Sequence, residues 1–337
     1  HSIKATQLAS SMNKNLNLNF SLKEIFESPT IEKLAYYAQF KKPSVYAKIN
    51  ICKKQEYYEL SHAQRRLWII DKVNGPSSAY HIQGSYELIG NLNVLQLELA
   101  FKHILNRHEA LRTNFIEIED KPFQIIRENV AFNIIKRKLN NLELVKQDIL
   151  NENNNTFDLE NDLLIKAYLY EISPTHFVIS ICIHHIIADG WSIGVLLNEL
   201  SALYQGKTLA PLTIQYKDFT YWQNDAIHHS SSMNSQRDFW HNQLEGELPV
   251  LELPANYHRI EKRNDEGASY HYIFPAEISK ELKKYLENHQ HSLFMGLFAF
   301  YNILLHKYTH QTEFVVGVPV SGRYHHDLNN QIGFYLN

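Results

Sequence analysis

The stretch Ser180–Leu200, SICIHHIIADGWSIGVLLNEL, holds two adjacent histidines, an aspartate four residues after the second, a glycine and a serine. Each of these types can do chemistry. His184 and His185 can move protons near neutral pH or bind a metal, and Ser192 can act as a nucleophile beside a base. Successive residues on a strand point to opposite faces, so His184 and His185 do not readily share one ion, and no cysteine or third histidine follows at ligand spacing. Ser192 lacks the G-x-S-x-G turn that exposes a nucleophilic serine. It follows Trp191 at the head of an apolar-periodic run and reads as a helix cap, with Asp189 the other candidate for the cap region. A buried Asp189 needs a cationic or hydrogen-bonding partner, which makes it an anchor for the loop rather than a reacting acid. Two readings of the histidines stay open: both are satisfied core groups, or one faces a cleft and orients or deprotonates an attacking amine, thiol or hydroxyl.

Such side chains need a rigid mount. Phe177 to about Ile183 reads as a buried strand, His184–Gly190 as its exit, and Ser192 onward as a helix with Ile193, Leu196, Leu197, Leu200, Leu203 and Tyr204 at i, i+3, i+4, i+7 spacing. A strand exit leading into a helix is where α/β proteins place their sites. LIKAYLYEIS reads as a neighbouring strand across the Ser173-Pro174 turn, and AYHIQGSYELIG as another. NVLQLELAFKHILNRH is an amphipathic helix with Leu95, Leu99 and Ile104 on its stripe, and LRTNFIEIEDKPFQII a hairpin around Asp120 and Lys121. NLELVKQDILNENNNTF starts as a helix and dissolves into an asparagine-rich loop; PAEISKELKKYLENHQ and SLFMGLFAFYNILLHKYT are helical, and EFVVGVPVSG is strand-like. Residues 1–40 read as three short helices, with Ser21 and Glu24 at capping-box spacing. A proline- and lysine-bearing linker covers 41–56, and a mixed α/β region with two similar halves fills 57–337, dividing near 225.

Composition narrows the partners. The 337 residues are 44% hydrophobic and 20% charged, with a net charge of −3 and no extended basic block, which argues against nucleic acid. Cys52 and Cys182 stand in unlike contexts and offer neither a disulfide framework nor a CxxC metal site, so no metal is expected. No apolar run approaches the roughly 20 residues that cross a bilayer, and no signal-peptide order opens the chain, so the cytoplasm is the expected location and no membrane partner is expected.

HHIIADGWS matches the HHxxxDG pattern of the chloramphenicol acetyltransferase-like superfamily, and its DGWS ending resembles the condensation domains of nonribosomal peptide synthetases. Four more motifs fall in that family's order: LSHAQRRLW at Leu60–Trp68, RHEALRTNF at Arg107–Phe115, YKDFTYWQ at Tyr216–Gln223, and VPVSGR with IGFYLN near the end. The resemblance covers about Tyr57 to Asn337. HSIKATQLAS with LKEIFESPTIEKLA resembles the second half of a peptidyl carrier domain, which makes Ser2 the matching site for covalent 4'-phosphopantetheine.

The resemblance implies two acetyltransferase-like halves forming a V around a central tunnel, with a small helical carrier fragment ahead of them. It implies that His185 positions or deprotonates the amine of an acceptor aminoacyl carrier as it attacks a donor thioester. His184 becomes its packed neighbour, Asp189 a structural partner of Arg323, and Gly190 a point of close backbone approach with an N–H to donate. Arg66 and Arg112 are implied to make structural pairs, and Trp68, Phe219 and Trp222 to be core aromatics. Implied partners are donor and acceptor carriers and neighbouring adenylation domains. A carrier followed directly by a condensation domain resembles the type joining an L-donor to an L-acceptor. The family continues with more sheet and helix beyond IGFYLN, so the C-terminal half is expected to be incomplete here.

Rivals differ at identifiable residues. A heterocyclization domain would carry aspartates where His184 and His185 stand. An epimerization domain shares the histidines but differs after the acid. A coenzyme A-dependent acetyltransferase needs no carrier segment, and a non-catalytic recruitment domain of the same fold typically loses the second histidine.

Overall fold

A strand apolar at nearly every position needs neighbours on both edges and both faces, and His176–His184 has them. The computed structural model describes residues 2–41, 48–229, 231–254, 269–289 and 291–337. The chain forms two compact units, the larger made of Ala47–Met233 and Pro319–Asn337, the other of His1–Tyr46 and Asn234–Val318.

In chain order the first elements are α1 (Ser2–Leu16), α2 (Leu22–Glu27), α3 (Ile31–Phe40), β1 (Tyr58–Glu59), α4 (His62–Asn74), β2 (His81–Ile89) and α5 (Val94–Arg107). There follow β3 (Thr113–Ile118), β4 (Lys121–Ile126), β5 (Ile135–Lys138), α6 (Leu142–Asn153), β6 (Ile165–Ser173), β7 (His176–His184) and α7 (Gly190–Tyr204). Helices α8 (Tyr216–His229), α9 (Ser231–Gln243), α10 (Ala276–Asn288) and α11 (Leu293–Thr309) complete the set.

The larger unit is built on a mixed sheet of order β2-β7-β6-β5, antiparallel except for β5 with β6. Because strand side chains alternate, Phe177, Ile179, Ile181 and Ile183 of β7 enter the main core with Phe101 of α5 and Leu196 of α7. Val178 instead meets Val145 of α6, Tyr168 and Tyr170 in a smaller cluster. That double burial explains the apolar run. A second sheet, β1-β4-β3, closes its β3–β4 hairpin at Glu119 and Asp120. Both are left-handed, the demand of a two-residue turn, so the turn lies one residue before the expected position.

Two expectations fail here. On α5 the buried positions are Leu97, Ala100, Phe101, Ile104 and Leu105, whereas Leu95 and Leu99 are exposed. The true stripe is equally periodic but begins at Leu97 and uses Ala100 and Phe101. EFVVGVPVSG forms no strand: a ladder needs a partner, and among the described residues this stretch pairs its backbone only at Val320, which exchanges two bonds with Asn337.

In the smaller unit, α1–α3 enclose Ala5, Ala9, Phe20, Ile25 and Leu34. The Ser21 hydroxyl caps Glu24 N while the Glu24 carboxylate accepts from Ser21 N at 2.7 Å, the reciprocal box expected from the sequence. Helix α10 meets α11 at Gly296, where a Cβ would stand 2.6 Å from Leu286. Of the expected linker, residues 42–47 lie outside the described residues; farther on, Cys52 N donates to Asp218 of α8 at 2.9 Å. No helix among the described residues is long and apolar enough to cross a membrane.

Candidate active site

Strand β7 ends at His184, paired across to His81 of β2, and the next backbone N–H, that of His185, donates to Tyr80 O at 2.8 Å. The alternation of β7 separates the two rings. His184 is buried near His81 and Phe157, and its Nδ1 accepts from Ile186 N at 3.1 Å, which puts its proton on Nε2. Burial, helped by the neighbouring His81 and His185, pushes its pKa down to about 3, so it stays neutral. The half-buried ring of His185 packs edge-to-face on Phe334 with centroids 4.9 Å apart. Its Nδ1 is fully buried, and neither of its ring nitrogens has a hydrogen-bond partner among the described residues.

Four residues after His185, Asp189 caps α7. Its Oδ1 accepts from Ser192 N at 2.8 Å and from Arg323 Nη2 at 2.9 Å, while Oδ2 accepts from Tyr335 N at 3.2 Å. Ser192 is therefore not the cap. It stands three residues inside, where its hydroxyl reaches Asp189 Oδ1 (2.7 Å) and Gly333 O (2.9 Å) and accepts from Gly333 N (3.1 Å) and Arg323 Nη2 (3.0 Å). Capping fell to the carboxylate because Asp189 has the extended backbone that a cap requires, whereas Ser192 is already helical. Arg323 is almost fully buried, donates to Leu328 O and Gln331 O, and lies over the Tyr335 ring at 4.1 Å.

These side chains grip a segment that belongs to no sheet. Along Gln331–Tyr335, Gln331 O accepts from Arg323, Ile332 N donates to His108 Nδ1 (3.4 Å), Phe334 O accepts from the Tyr216 hydroxyl (2.6 Å), and Tyr335 N is held by Asp189. Trp191 Nε1 adds a bond to Asn329 O at 2.9 Å. His108, accepting on Nδ1, donates from Nε2 to Glu199 of α7 at 2.8 Å, and Arg107 pairs with the same carboxylate. Glycine is required twice. A Cβ on Gly333 would stand 2.1 Å from the Tyr216 ring, and one on Gly322, which is left-handed, 1.9 Å from Tyr335 O.

The remaining expected residues are scattered. Gly190 is exposed at the first position of α7, and a Cβ there would meet nothing within 4 Å, so nothing among the described residues demands glycine. Arg66 is exposed on α4 with no ion pair or hydrogen bond among the described residues, so the structural pairing expected of it is not made. Arg112 is held by carbonyls rather than by an acid, donating to Leu105 O, Asn106 O and Arg127 O. Trp68 and Phe219 are buried, and Trp222 packs against the core. Ser2 begins α1, and its side chain lies outside the described residues. The sequence reading passed over Phe334, Tyr335, Tyr216 and His108 as site residues, although all four lie inside quoted motifs. Among the described residues no group of three or more His, Cys, Asp or Glu could hold a metal ion.

A mixed sheet whose strand exit carries the histidine pair, followed by a helix capped by a buried acid, is the arrangement of the chloramphenicol acetyltransferase-like class. Residues 54–337 match the condensation domain family and residues 1–38 the phosphopantetheine attachment site family. The chain belongs to the condensation domain family, with a carrier segment ahead of it. It is 36% identical over its whole length to bacitracin synthase 3 of Bacillus licheniformis, and it spans 5% of that relative's length. Among solved structures it is similar to the X-domain in its complex with OxyB from teicoplanin biosynthesis, with TM-score 0.76, 24% identity, and coverage of 86% of this chain and 66% of that one. The first condensation domain of the CDA synthetase matches with TM-score 0.67 at 18% identity, covering 84% and 70%. At these identities the two structures speak for the fold alone.

The match over residues 1–38 indicates covalent 4'-phosphopantetheine on the carrier. The local structure suits a phosphodiester: the 15-residue α1 starts at Ser2 and has no acidic residue in its first turn, so its own first turn puts no carboxylate against the positive end of the helix.

Proposed function

We propose that this domain makes peptide bonds in nonribosomal peptide synthesis, an acceptor aminoacyl amine attacking a donor aminoacyl or peptidyl thioester, with an L-donor joined to an L-acceptor. The observation that carries the reading is His185 itself: a half-buried imidazole at a strand exit, unbonded at both nitrogens among the described residues, beside a network in which Asp189, Ser192 and Arg323 are bonded to one another. With Nδ1 buried, Nε2 is the nitrogen that meets the amine. In the step, the C–N bond forms as the amine adds to the thioester carbonyl and the C–S bond breaks, releasing the thiol. The amine proton passes through His185 Nε2 to the departing sulfur. Aiming the lone pair contributes alongside basicity, because fixed geometry alone removes much of the barrier. Bound phosphopantetheine supplies a flexible arm that presents the acyl group as a thioester; Ser2 is the residue that would hold it.

The donor and acceptor carriers and the neighbouring adenylation domains are the proposed partners, in a reducing cytoplasm. Recruitment without chemistry is the weaker reading, because His185 is retained. Replacement of His185 by alanine, assayed with two defined aminoacyl carriers on the full synthetase, is expected to lower amide formation by about 10²–10⁴-fold. Undiminished product would remove His185 from the reaction.

A further inference from the structure

We propose that Phe334 is the positioning residue for His185, and that Asp189 and Ser192 act on the histidine through it. The inference rests on the reading of His185 as the group that handles the amine.

Histidines that move protons are commonly held by a carboxylate or carbonyl on the far ring nitrogen, which fixes tautomer and direction. Among the described residues His185 has no such group: its Nδ1 is buried without a partner there. What the ring does have is a T-shaped contact with the Phe334 ring, centroids 4.9 Å apart and planes inclined at 65°. Edge-to-face packing of this kind is directional, so it can set the plane of an imidazole that no hydrogen bond holds.

A positioning residue must itself be fixed, and Phe334 is. Its carbonyl accepts from the Tyr216 hydroxyl at 2.6 Å, and Tyr216 is in turn hydrogen-bonded to Ser61 at 2.8 Å. On one side Gly333 is held at both N and O by the Ser192 hydroxyl; on the other, Tyr335 N is held by Asp189 Oδ2. The residues closing the HHIIADGWS motif thus hold the backbone on both sides of the ring that, among the described residues, packs on the motif's second histidine. This gives Asp189 and Ser192 an influence on the reaction without contact with the reacting atoms.

The test uses Phe334→Met and Phe334→Leu, which keep apolar bulk but lose the ring, against Phe334→Tyr, which keeps it. Amide formation from two defined aminoacyl carriers is measured on the full synthetase, and histidine ring resonances are read by NMR in the labelled chain. The expected result is a roughly tenfold fall in kcat for Met and Leu at a nearly unchanged KM, with displaced His185 resonances, and near-normal behaviour for Tyr. An unchanged kcat and unmoved His185 resonances in a folded Met or Leu variant would overturn the proposal, as would a Tyr variant that falls as far as they do. A parallel His185→Ala control separates the two claims: if it leaves product formation intact, the reading of His185 fails rather than the packing relationship.

Discussion

Asp189 and Arg323, separated by 134 residues, meet at 2.9 Å with both side chains almost entirely buried. The carboxylate has four donors around it, and the guanidinium spends its other bonds on Leu328 O, Gln331 O and the Ser192 hydroxyl. Pairs of this kind hold a local arrangement in place more than they add net stability, but removing one partner leaves a buried charge uncompensated.

Asp189→Ala is accordingly expected to destabilise the larger unit by about 3–5 kcal/mol. Asp189→Asn, which retains an oxygen able to cap α7, should lose less. Urea unfolding followed by tryptophan fluorescence measures both; equal stability of wild type and the alanine variant would contradict the anchoring role.

Alanine at three glycines should sort by space. At Gly322 and Gly333 it would collide with Tyr335 and Tyr216, so both variants should lose the ordered Gln331–Tyr335 segment and a large part of their stability. At Gly190 the site is open, and stability should change by less than about 0.5 kcal/mol. A selective loss of amide formation in Gly190→Ala would mean that substrate backbone passes there, and normal activity would withdraw the residue from the site.

His184 should make stability depend on pH. Its pKa falls from 6.5 to about 3 on folding, so the unfolded chain takes up a proton between those values while the folded chain does not. The sign follows: this contribution is complete above about 6.5 and is lost as pH falls, at up to about 1.4 kcal/mol per pH unit. In His184→Asn the slope of unfolding free energy between about pH 6.5 and pH 5 should be shallower by that amount. Parallel curves would show that the buried imidazole is not the source.

Ser2→Ala should abolish attachment of the phosphopantetheine arm. Intact-mass spectrometry after treatment with a phosphopantetheinyl transferase reads this directly: a mass increase in the serine protein and none in the variant. An increase in both would place the attachment elsewhere.

How much of this was legible beforehand depends on the range of the interaction. Strand β7 and helix α7 could be read because their periodicities are local, and the opposed His184 and His185 followed from alternation alone. The partnership of Asp189 with Arg323 came from family resemblance, since no local signal connects residues so far apart. Ser192 was misplaced because propensity ranks serine and aspartate almost equally as caps, and the backbone at Asp189 decided between them. The stripe of α5 was misread by counting large aliphatics and passing over Ala100 and Phe101. Strand character in EFVVGVPVSG was composition without a partner. Phe334 was invisible as a site residue because a phenylalanine in a quoted motif reads as core until its neighbour is known.

The grip on Gln331–Tyr335 also sets an order of events during synthesis. Apart from Arg323, which holds Gln331 O from eight residues away, its holders lie far upstream, with separations of 224 residues for Ile332 and His108, 141 for Gly333 and Ser192, 146 for Tyr335 and Asp189, and 118 for Phe334 and Tyr216. At a translation rate of roughly 5–20 residues per second, the histidine leaves the ribosome on the order of ten seconds before the ring that orients it. For most of that interval Asp189 and Ser192 have neither Arg323 nor the Gln331–Tyr335 segment to bind, and loop closures this long come late in folding. A nascent chain stalled before Gln331 carries the complete HHIIADGWS motif and none of the packing that aims it.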